Sequence, residues 1–99
     1  MIKLMVAYGA PEDPAAFETY YAATHAPLAN KIPGLRRFEW GKVVGTPDDT
    51  PAPYYYLAEL CFDDADALQA GMASPEGQAA GADVANFASG GATLFMSEA

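Results

Sequence analysis

Histidine, cysteine and tryptophan each occur once in this chain, and only five lysines and arginines stand against thirteen aspartates and glutamates. Each shortage excludes something. The single Cys61 closes no internal disulfide, and one cysteine with one histidine cannot build a thiolate or His-rich zinc or iron site, so no metal is expected. A formal charge of −8 repels phosphate backbones and anionic lipid, which argues against nucleic acid and membranes as partners. The same field disfavours nucleotides and haem propionates and leaves a small hydrophobic or aromatic molecule as the natural ligand. No apolar run approaches the roughly 20 residues of a membrane span, and Met1-Ile2-Lys3-Leu4-Met5 lacks the succession of a signal peptide. The expectation is a cytoplasmic protein without a cofactor, folded as one domain over residues 1–99.

What the chain does have is apolar periodicity. Ile2, Leu4, Val6 and Tyr8 alternate with Lys3, Met5 and Ala7, and because both sets are largely apolar the first strand should be central. Asp13-Pro14 supplies an N-cap and a first-turn proline for a helix over residues 14–24. Residues 35–44 read as a second strand with Phe38, Trp40 and Val44 on one face. After a polar, proline-rich loop over residues 45–53, a third strand over residues 54–62 places Tyr54, Tyr56, Ala58, Leu60 and Phe62 on one face. Glu59 is the only charge on that strand. It is paired across the sheet, exposed, or chemical. Asp63, Asp64 and Asp66 open a second helix, Ser74-Pro75 restarts it over residues 75–87, and residues 92–96 form a last strand.

Strand, helix, strand, strand, helix, strand is the order of a ferredoxin-like α+β sandwich, a four-stranded antiparallel sheet with helices on one face. Apolar residues of both parities in the first and third strands leave the other face too apolar for a monomer. A homodimer joined through the open sheet face, closing a dimeric α+β barrel, is the economical cover.

His25 carries the chemical interest. At 3.6 residues per turn Phe17, Tyr21, Thr24 and Leu28 share a stripe, with His25 at its edge, and Pro27 should end or kink the helix there. An imidazole titrates near neutral pH and can move a proton. A structural histidine tied to a carbonyl at a helix end is the competing reading. Asp83, Asn86 and Phe87 either reach a neighbouring cavity or cap their helix.

Residues 20–29 (Tyr-Tyr-Ala-Ala-Thr-His-Ala-Pro-Leu-Ala), Ile32-Pro33-Gly34-Leu35, Ser74-Pro75-Glu76-Gly77 and residues 83–91 together resemble the EthD family of the dimeric α+β barrel superfamily. The resemblance implies a small protein of bacterial catabolic or secondary metabolism, and the family takes its name from an accessory protein in the degradation of a fuel ether beside a cytochrome P450 system. It points to His25 as the polar centre of a cleft, with Tyr21 one turn before it as catalytic partner and Tyr8, Trp40 and Phe87 as substrate-binding walls. Three functions follow as expectations. One is His25 proton transfer on a small cyclic or carbonyl-bearing substrate, as in an isomerase or cyclase; another is a non-catalytic binding or accessory protein; the third is a cofactor-free or haem-dependent oxidoreductase.

Overall fold

The computed structural model describes residues 1–98. Its strands are β1 (Ile2–Tyr8), β2 (Arg37–Lys42), β3 (Tyr56–Phe62) and β4 (Ala92–Glu98), paired antiparallel throughout in the order β2-β3-β1-β4. The doubly apolar β1 is central, as its alternation requires. Directly opposed residues share a face, so Leu4 with Leu60 and Val6 with Ala58 align one apolar row across the centre. Trp40 and Phe38 of β2 extend that row on one side, and Leu94 and Met96 of β4 on the other.

Helices cover this row. The caps read from sequence form: Asp13 accepts from the Ala16 N–H at 3.1 Å to start α1 (Pro14–Tyr20), and Asp64 accepts from Ala67 at 2.8 Å to start α3 (Ala65–Ala73). Ser74 accepts from Gly77 at 3.0 Å and starts α4 (Pro75–Asp83). Between α3 and α4 the chain bends so tightly that a Cβ on Gly77 would stand 2.2 Å from the Gly71 carbonyl oxygen and 2.6 Å from Met72 Cα. Only glycine fits there. Leu4, Val6, Tyr8, Phe17, Tyr21, Ile32, Leu60, Phe62 and Leu68 belong to the core between helices and sheet.

The opposite sheet face is uncovered. Met5 lies between Glu59 and Phe95 across the ladders, and Phe95 is 47% exposed. Glu39 and Glu59 are directly opposed, a like-charge juxtaposition that two cations relieve: Lys3 Nζ lies 3.3 Å from Glu59 and Arg37 3.6 Å from Glu39. Glu59 is therefore the paired carboxylate of the three readings.

Several boundaries differ from the sequence reading. Of the end or kink expected at His25 there is no end: the first helix runs past residue 24, irregular at that place, through a π-helical turn, Tyr21–His25, into α2 (Ala26–Ala29). Pro27 offers no N–H and would clash with the Ala23 carbonyl in a continuous α-helix, and the wider turn separates the two. β2 stops at Lys42, leaving Val44 94% exposed rather than on the core face. Tyr54 precedes β3, which begins where Tyr56 meets Lys42. α4 ends at Asp83 and gives way to a 3₁₀ turn, Val84–Asn86, short of Phe87, while β4 runs on to Glu98.

Candidate functional site

The π-turn sets the position of His25. Eight residues beyond Phe17, an α-helix would hold it about 80° off the buried direction. The turn closes instead with the Ala26 N–H donating to the Tyr21 carbonyl, five residues back, so each residue advances through a smaller angle. His25 swings onto the stripe of Phe17 and Tyr21 and is buried, while Thr24, expected on that stripe, is exposed.

A buried imidazole needs a hydrogen-bond partner, and here it is Asp83 rather than a helix-end carbonyl. His25 is 5% exposed and Asp83, the last residue of α4, 7%. His25 Nδ1 lies 3.0 Å from Asp83 Oδ2. The other carboxylate oxygen accepts from the Tyr20 hydroxyl at 2.6 Å and from the Asn86 amide at 3.0 Å. Burial by itself would push the Asp83 carboxyl up, but hydrogen bonds from Tyr20, Asn86 and His25 outweigh it and hold the group below its ordinary 3.8. Asp83 is thus ionised and can only accept. His25 must carry its proton on Nδ1 and donate to it.

Burial also governs His25. It lowers the imidazole from its ordinary 6.5, and the Asp83 hydrogen bond and charge only partly oppose this. At neutral pH the ring is uncharged, with Nδ1–H spent on Asp83 and Nε2 left as a base. A neutral base oriented by a carboxylate behind it is an arrangement suited to taking a proton and holding the resulting cation. The signal for Asp83 was present in the sequence: it lies three residues after Ala80 and four before Phe87, putting an acid on the buried stripe of an otherwise Ala- and Gly-rich helix.

The depressed groups make the fold acid-labile in two stages. Below pH 6.5 the unfolded chain protonates its histidine before the folded chain does, and below 3.8 the same holds for Asp83; the unfolded state binds more protons in both windows, so stability falls with pH. The melting temperature should be level above about pH 7 and begin its first decline as the pH falls through 6.5, and His25→Gln should remove that first decline only.

His25 lines a cavity of about 140 Å³ between helices and sheet, whose wall includes Leu4, Val6, Ile32, Phe38 and Leu60. Tyr8 and Tyr21 line it as well. The Tyr21 ring lies 5.0 Å from the imidazole, and its hydroxyl is buried without a hydrogen-bond partner among the described residues. Burial, with the neighbouring Tyr8 hydroxyl adding to it, raises the Tyr21 phenol far above its usual range, and burial raises Tyr8 to about 12. Both are hydrogen-bond donors, not phenolates, at any working pH. The other two expected walls stand outside the lining. Phe87 packs against the imidazole at 4.7 Å between ring centres, and Trp40, 38% exposed on the edge strand, meets Tyr21 at 5.7 Å.

The model of the EthD domain matches residues 10–91. An uncharacterized 11.0 kDa protein from the thcB–thcC intergenic region of Rhodococcus erythropolis is 48% identical over 99 residues, 99% of this chain and 94% of that protein. The crystal structure of an EthD family protein from Bacillus halodurans superposes with a TM-score of 0.92 at 41% identity, covering 100% of this chain and 98% of the other. A dimeric ferredoxin-like protein of unknown function from Jannaschia follows at 0.72 and 27%, covering 99% and 98%. The chain belongs to the EthD family and has its ferredoxin-like α+β fold.

Proposed function

We propose that the protein is an enzyme in which His25 takes a proton from a small cyclic or carbonyl-bearing molecule held in the cavity between helices and sheet. One observation carries the reading: the 3.0 Å bond between Nδ1 and the buried Asp83 carboxylate, which leaves Nε2 of a cavity-lining, neutral imidazole as the free nitrogen. In the step, a C–H or O–H proton passes to Nε2 and its electron pair moves onto the substrate oxygen. Asp83 holds the imidazolium so formed, and the Tyr21 hydroxyl is the donor for the developing negative charge. Reversal of the transfer at another atom completes an isomerisation. The haem-dependent alternative gains no support, because a cavity of about 140 Å³ does not take a porphyrin.

The working unit in this reading is a homodimer. Met5, Leu57 and Phe95 on the open sheet face are apolar and only part-covered in one chain, and the Jannaschia relative is itself described as dimeric. A second copy packed sheet to sheet covers them and leaves the helix-side cavity on the outside of the barrel.

Deuterium uptake tests the chemistry without knowledge of the physiological substrate. In D₂O the protein should speed exchange α to the carbonyl of cyclohexanone or of a six-membered lactone. The rate should rise with pH through a pKa below 6.5 and then level, because only the unprotonated imidazole works. Exchange no faster than buffer, with the same compounds bound, would make the protein a carrier and contradict the enzymatic reading.

A further inference from the structure

The cavity has a mouth, and the residues around it limit what enters. Most of the wall is buried, Phe38, Met72 and Val84 are half-buried, and the two exposed lining residues are Gly81 on α4 and Leu94 on β4. Leu94 is 56% exposed although it faces the helix side of the sheet. Gly81 is unexplained by packing. A Cβ built there meets nothing within 4 Å, unlike Gly77, so the fold tolerates a side chain at a helix position where glycine is unfavourable. A glycine with open space around it, sharing the exposed part of a cavity lining with a leucine, does what an aperture requires: it leaves room.

Volume and charge narrow the visitor further. At about 140 Å³ the cavity matches the roughly 150 Å³ of apolar space known to hold one benzene. Among the described residues no lysine or arginine lines it, and behind its wall the Asp83 carboxylate stands on His25. Its polar lining is the imidazole and the two tyrosines. An anion would enter without a counter-ion and against a carboxylate, whereas a neutral oxygen can meet the unpartnered Tyr21 hydroxyl and Nε2.

We infer that the site admits a single uncharged ring bearing a hydroxyl or carbonyl oxygen, and that it enters between α4 and β4 past Gly81 and Leu94. This rests on the proposed cavity chemistry for its polar end, but the entrance and the selection by charge and size are separate from proton transfer.

Calorimetric and stopped-flow titration of the purified protein with phenol, benzoate and 1-naphthol tests it. Phenol should bind at millimolar or lower concentration, and benzoate and 1-naphthol at least tenfold more weakly. Gly81→Leu, and independently Leu94→Trp from the opposite rim, should slow phenol association and weaken it at least tenfold while the melting temperature is kept. Ala82→Leu, one residue along α4 and off the lining, should bind as the unmodified chain does. Benzoate binding as tightly as phenol, undetectable phenol binding, or wild-type association in both rim variants would overturn the inference. The two readings fail separately: if the unmodified protein binds phenol through the rim but exchanges no deuterium, only the base assignment falls, and if it exchanges deuterium while both rim variants associate as the unmodified chain does, only this inference falls.

Discussion

Asp83→Ala should lower stability by about 3 kcal/mol, the scale for deleting one partner of a buried, hydrogen-bonded pair. Three donors lose their acceptor at once: His25 Nδ1, the Tyr20 hydroxyl and the Asn86 amide. Tyr20 and Asn86 sit near the surface and can turn to water, but the imidazole, 5% exposed, cannot. For a chain of 99 residues that loss lowers the melting temperature by more than about 10 °C. Asp83→Asn separates position from charge. Its amide oxygen can still accept from Nδ1, so the shape persists, but the influence that raises the His25 pKa is reduced and burial acts nearly alone. The imidazole should then titrate lower still, and a base so weakened should exchange protons more slowly even at high pH. Urea melts of the two variants, read beside a pH titration of the ring, check both halves.

His25→Gln should cut catalysed deuterium exchange at least a hundredfold, within the range set by removing a general base, while the protein stays folded. Glutamine is the informative replacement because its amide N–H can donate to Asp83 as Nδ1–H does. The carboxylate is left paired, and what disappears is Nε2. A smaller effect, with turnover preserved, would mean that another group takes the proton. The buried Tyr21 and Tyr8 phenols, both raised by desolvation, are too weakly acidic to serve as bases at neutral pH.

These expectations show where sequence was sufficient and where it was not. Strand parity put Leu4, Val6 and Tyr8 on one face of the first strand and Tyr56, Ala58 and Leu60 on one face of the third, because a period of two leaves no choice of face once one face is buried; which residues stand opposite one another comes from the ladder itself. Asp13-Pro14 and Ser74-Pro75 were legible because capping is a local matter of a few residues. The helix through Pro27 was not. A proline argues locally for termination, and the π-turn that admits it is selected by packing of Tyr21 and His25 beneath it. The same turn moved His25 from the edge of the buried stripe to its middle and put Thr24 in solvent. Asp83 was legible as an acid on a small-residue helix but not as the partner of an imidazole 58 residues earlier, since nothing local joins them. Trp40 and Phe87, expected from the resemblance as substrate-binding walls, are absent from the cavity lining and pack against Tyr21 and His25.

Which nitrogen of His25 carries the proton decides whether the imidazole is a base poised toward the cavity. Long-range ¹H–¹⁵N NMR on the single imidazole, followed from pH 8 to pH 4, reads tautomer and pKa together and leaves no assignment to resolve. The expected spectrum at neutral pH shows a protonated Nδ1 and a bare Nε2, with the ring becoming cationic only below pH 6.5. A proton on Nε2 would mean that Asp83 does not set the tautomer, and a pKa at or above 6.5 would mean that the Asp83 charge outweighs burial and that the ring is not held as the neutral base.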